Sequence, residues 1–156
     1  MTNKQFQLLF YAVRLAHPLC TITAKLPLAI SRQETGSWAA HSFEAYNNLF
    51  GMTAPNARNT TATNKGSNKV ATFSSVMDSM SDFFLWAEAF ELKSDQDLQK
   101  FIDDLRYNKS AAYPPAIAKM TKQVAPDLLP AALFSPIAVG GAAVLSVAAV
   151  YAAFSK

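Results

Sequence analysis

Glu34 is the side chain of this sequence best placed for acid chemistry. It follows the apolar run Leu26 to Ile30 and precedes Gly36, so it is expected in the last turn of a helix that Gly36 stops. Carbonyl ends and the negative pole of a helix disfavour an anion there. Partial burial against Trp38 or Phe50 would disfavour it further. Both effects raise a carboxyl pKa, as a general acid working near neutral pH requires; in glycoside cleavage such an acid protonates the leaving oxygen. A plainer role stays open, because Ser31-x-x-Glu34 matches a helix-capping box, although Gly36 and Ser37 propagate a helix poorly.

Other chemistries find little support. His17 and His41 have no cysteine or second acid at ligand spacing, and the single Cys20 excludes an intrachain disulfide and a cysteine-rich zinc site. No glycine-rich phosphate loop occurs, so neither a metal nor a cofactor is expected. The Lys/Asn/Thr-rich stretch 56–72 lacks interleaved aromatics, and no specific nucleic-acid partner is expected.

Two segments around the acid carry a resemblance. Arg32-Gln33-Glu34-Thr35-Gly36-Ser37-Trp38, followed by Tyr46-Asn47-Asn48-Leu49-Phe50-Gly51-Met52, resembles the glucosaminidase family of cell-wall hydrolases, of the flagellar, autolysin and phage-lysin type. Phe73-x-Ser75-x-x-x-Ser79-x-x-Asp82 is similar to the segment that opens the helix after that family's hairpin, and Tyr107 and Tyr113 look like its paired tyrosines. The resemblance covers roughly residues 20–120 and implies a mainly helical, lysozyme-like α+β domain with a small β-hairpin lobe. It further implies cleavage of a glycan bond in peptidoglycan, with Glu34 as the acid and Trp38, Asn47, Asn48, Phe50, Tyr107 and Tyr113 as candidate substrate-binding residues. The amides of Asn47 and Asn48 can bond either backbone or the sugar's acetamido groups, one of them holding the loop beside Glu34. Ser75 and Ser79 read as helix-start and packing positions, and Asp82 as the partner of a basic neighbour with no catalytic role.

The departures bear on mechanism. Many members of that family place a second carboxylate in the β-lobe, whereas no Asp or Glu occurs between Glu44 and Asp78 here. Glu44 is a fallback partner, although its position before the Asn-Asn motif suits a surface role; a single acid helped by the substrate's acetamido group, or lytic-transglycosylase chemistry, would dispense with that partner. The bond cut, at N-acetylglucosamine or at muramic acid, is left open. So is an inactive, glycan-binding or structural role.

The elements that must position these residues follow from hydrophobic spacing. Phe6, Leu9, Phe10 and Val13 predict a first helix, which His17-Pro18 ends. Pro27 fits the first turn of the helix that carries Glu34. Thr60 to Thr63 and Val70 to Phe73, around Asn64-Lys65-Gly66, are expected to be either a short hairpin or a surface loop. Helical faces follow at Val76, Met77, Met80, Phe83, Phe84, Ala87 and Phe90, at Leu98, Phe101, Ile102 and Leu105, and at Tyr113, Ile117, Met120 and Val124.

The 156 residues allow one domain, 1–125, with an appendage: a linker at 126–132 and an uncharged run at 133–154 of the length of a transmembrane helix. A lipid membrane is thus an expected partner, beside peptidoglycan. The first 77 residues are basic, with Lys4, Arg14, Lys25, Arg32, Arg58, Lys65 and Lys69 against Glu34 and Glu44, which suits an anionic partner. Arg14 and His17 interrupt the apolar run a secretion signal needs. A wall-cutting domain anchored in this way suits the virion membrane of a lipid-containing bacteriophage, opening the wall during genome delivery beside capsid or spike proteins. A bacterial envelope is the other setting.

Overall fold

The computed structural model describes residues 1–67 and 69–129. Six helices follow one another: α1 (Asn3–Arg14), α2 (Lys25–Glu34), α3 (His41–Tyr46), α4 (Val76–Ala89), α5 (Asp95–Asp103) and α6 (Tyr113–Val124), with a final 3-10 turn at Ala125–Asp127. Local chemistry sets their ends. Thr2 and Gln5 form a reciprocal capping box on α1, Ser75 caps α4, and Ser94 with Asp97 caps α5. α6 opens on Pro114-Pro115, where the missing N–H groups would have no helical partner anyway.

α2 is the central element. Leu26, Leu28, Ala29, Ile30 and Ser31 are all buried, because α2 is packed between α1 and α6. α1 also packs on α4. Phe6, Phe10, Phe50, Phe83 and Phe84 form a fully buried aromatic centre; the Phe50 and Phe83 rings lie 4.6 Å apart and those of Phe10 and Phe84 4.8 Å. Each such side chain contributes about 1.5–3 kcal/mol by leaving water. This core fixes α2, and with it the position of Glu34.

The mainly helical expectation matches this architecture, but the β-hairpin lobe does not. Among the described residues there is no strand, only an isolated antiparallel bridge between Thr53 and Val70. Side-chain amides occupy the positions a ladder would need. Asn64 donates to the Val70 carbonyl and accepts from Thr72 N–H, and Asn48 donates to the Ala71 carbonyl. The backbone of 70–73 divides its remaining bonds among Met52, Thr63 and Tyr46, so the two expected strands never pair in register. Thr60 and Thr61 instead turn toward α4 and bond Asp82 and Asp78.

The second correction concerns the membrane helix. Among the described residues no helix is long and apolar enough to cross a membrane. The run at 133–154 lies outside the described residues, as does part of the linker 126–132.

Candidate functional site

Glu34 ends α2, and the backbone after it turns sharply. Gly36, Ser37 and Trp38 all have left-handed φ values, of 54°, 61° and 68°. Side chains other than glycine's resist that conformation, so the turn must be held from outside. Ser37 N–H donates to the Arg32 carbonyl, and the Thr35 hydroxyl accepts from Trp38 N–H while donating to the Ser31 carbonyl. Trp38 Nε1 donates to Ser31 Oγ at 3.0 Å. Ser31 therefore sits inside α2, fully buried, and does not start a helix, which removes the capping-box role for Glu34.

Two tyrosines complete the surroundings of Glu34. The Tyr113 hydroxyl, at the start of α6, donates to Glu34 Oε1 at 2.6 Å. Tyr107 stacks on Tyr113, with ring centroids 5.6 Å apart, and donates its hydroxyl to the Phe50 carbonyl at 2.7 Å. Burial pushes the Glu34 carboxyl above its ordinary pKa, against the bond from Tyr113, which pulls it down. Burial first, then neighbouring negative charge, pushes both phenols well above theirs, so both remain protonated donors.

Gly51 closes the arrangement from the other side. Its φ is +61°, and a Cβ there would stand 2.5 Å from Glu34 Oε2. Glycine is thus required twice, for the turn and for the close approach of the carboxyl. Gly51 also lines a cleft of about 570 Å³, whose walls include Phe50, Arg58, Trp86, Phe101, Arg106, Tyr107 and Lys109. Glu34 adjoins that cleft through Gly51.

The remaining candidates divide between cleft and scaffold. Phe50 is buried in the aromatic core and forms part of the cleft wall. Asn48 is buried; its amide donates to Met52 and Ala71 carbonyls and accepts from Met52 N–H, leaving no N–H for a ligand. Asn47 ends α3 in the left-handed region and donates to the Phe73 carbonyl. Both amides hold the loop that presents Gly51. Trp38 stacks on Phe6 and lies against the Arg32 guanidinium, so its ring is committed to packing around α2. Ser75 caps α4, and Ser79 accepts from Leu49 N–H, as their helix-start and packing reading requires.

Asp82 has the basic partner expected of it. It is fully buried and accepts from both terminal guanidinium nitrogens of Arg58, at 3.0 and 2.7 Å. His17 does more than turn the chain, since its ring stacks on Phe84 and bonds Glu88 at 2.8 Å. Trp86, Arg106 and Lys109 are cleft residues that the sequence does not single out; the spacing of Trp86 from Phe83 and Phe90 is the one signal that could have found it. Among the described residues no cluster of potential metal ligands occurs.

Comparison with protein-family models, with curated proteins and with solved structures yields no match.

Proposed function

We propose that the protein cleaves glycan strands of peptidoglycan, with Glu34 as the general acid. The observation that carries this reading is the pairing of Glu34 with Tyr113 beside Gly51. A half-buried carboxyl, raised in pKa by burial, has one oxygen engaged by a phenol that stays protonated. With Oε1 accepting from Tyr113, the acidic proton belongs on Oε2, the oxygen that faces Gly51 at the cleft wall. That oxygen would protonate the glycosidic oxygen as the bond to the anomeric carbon breaks. Tyr107 holds the Phe50 carbonyl and so fixes the peptide that places Gly51. The sequence likeness of residues 32–38 and 46–52 to wall hydrolases supplies the substrate class.

No Asp or Glu lies between Glu44 and Asp78, which favours a mechanism in which the reacting strand supplies the nucleophile or its assistance: the acetamido group or a sugar hydroxyl. The same lack favours a second reading, a domain that holds glycan without cutting it. Incubation of the purified protein with peptidoglycan separates the two. Cleavage requires soluble fragments from the parent and none from Glu34→Gln, whereas binding alone gives equal pull-down by both proteins and no fragments from either.

A further inference from the structure

We infer that the cleft beside Gly51 is a subsite for the carboxylate-bearing peptide stem of the substrate, read by Arg106 and Lys109. This rests on the reading of Glu34 as a glycan-cleaving acid. The cleft wall contains three cations, Arg58, Arg106 and Lys109, and no carboxylate. Arg58 is neutralised by Asp82. Arg106 and Lys109 are exposed and make no ion pair among the described residues. The Arg106 guanidinium lies 4.4 Å from the centre of the Phe101 ring, a cation–π contact that leaves its charge available to an anion.

The floor is apolar. Trp86 packs edge-on against Phe101 and Tyr107, at 5.3 Å each, and Phe90 beside it is 43% exposed. A ligand suited to this surface has small apolar groups next to free carboxylates. A bare sugar chain of N-acetylated hexosamines has acetamido methyls but no carboxylate. The lactyl-linked peptide of muramic acid has both: alanine methyls close to the sugar and carboxylates beyond them. Its attachment point is also within one sugar of the bond being cut, which fits a cleft that meets Glu34 at Gly51. Arg106 is the bidentate partner for a carboxylate, and Lys109 adds a point charge.

The test compares two substrates freed of teichoic acid: glycan strands with intact peptide stems, and the same strands stripped of peptide by an amidase, with the lactyl carboxyl groups so freed capped as amides. Full-length parent, R106Q/K109Q and the control K4Q/K119Q, whose lysines are exposed on other surfaces, are each measured for kcat/KM on both. The parent is expected to prefer stem-bearing strands about tenfold, the scale of two solvent-facing ion pairs. R106Q/K109Q is expected to bring the ratio near one, and the control to keep the parent ratio. Raising salt from about 0.05 to about 0.5 M should erode the parent's preference in the same direction. Equal cleavage of both substrates by the parent, or an unchanged ratio in R106Q/K109Q, overturns the subsite and leaves cleavage by Glu34 standing. Cleavage of neither substrate overturns the reading of Glu34 and the subsite with it.

Discussion

The Tyr113 hydroxyl donates to Glu34 Oε1 across 2.6 Å, joining the start of α6 to the end of α2. The bond is charge-assisted whenever Glu34 is ionised, so it opposes the effect of burial on that carboxyl. Removing it in Tyr113→Phe is expected to raise the Glu34 pKa further and free the carboxyl to rotate. Activity should fall about tenfold through lost positioning. The alkaline limb of the pH–rate profile, where the acid loses its proton, should move to higher pH. A downward shift would contradict the assignment of Tyr113 as donor.

Glu34→Gln is expected to reduce cleavage by about a hundredfold or more, the usual contribution of a positioned general acid. Its effect on stability has the opposite sign. A carboxyl whose folded pKa is raised binds its proton more tightly in the folded protein. That contribution is complete below the unfolded-state pKa and is lost as pH rises through the raised folded value. Denaturation midpoints should therefore show the parent losing ground to Glu34→Gln across that window, from about pH 4 upward.

Gly51→Ala and Gly36→Ala separate backbone strain from collision. Both glycines have left-handed φ, so each alanine should cost about 1–2 kcal/mol in chemical denaturation. Only Gly51 has Glu34 Oε2 where the new Cβ would stand; nothing lies within 4 Å of the corresponding point at Gly36. Gly51→Ala is thus expected to lose activity out of proportion to its stability, and Gly36→Ala to lose the two together.

Asn48→Ala removes a buried amide with bonds to three backbone groups and is expected to cost about 2–3 kcal/mol. Asp82→Ala leaves the Arg58 guanidinium without its carboxylate and is expected to cost about 3–5 kcal/mol. Urea titration measures both.

The positions of α1, α2, α4, α5 and α6 were legible because their causes are local: apolar spacing in Phe6, Phe10 and Val13, prolines at 114 and 115, and a hydroxyl cap at Ser75, whereas the six-residue α3 is too short to show a period in its apolar residues. Glu34 was legible for the same reason, as an acid between an apolar helix and a glycine. The hairpin was misread because Thr60 to Thr63 and Val70 to Phe73 have strand-like composition, while Asn48 and Asn64 take the ladder positions by side chain, which no periodicity reveals. Trp38 reads in sequence as a candidate substrate-binding residue, and the three-residue left-handed turn explains why it packs back on Phe6 and Ser31. The join of Tyr113 to Glu34 spans 79 residues and depends on α6 packing along α2. Arg106 and Lys109 follow α5 in a loop without periodicity, and their place on the cleft is a product of tertiary structure alone.

Mass spectrometry of the products from purified peptidoglycan, with the parent and Glu34→Gln side by side, tests catalysis by Glu34 most directly. The expected result is a set of fragments formed only by the parent. Their reducing ends identify the bond cut, and an anhydro end marks attack by the sugar's own hydroxyl in place of water. Identical fragment patterns from both proteins, or no fragments from a folded parent across several wall types, would contradict Glu34 as the acid of a glycan-cleaving site.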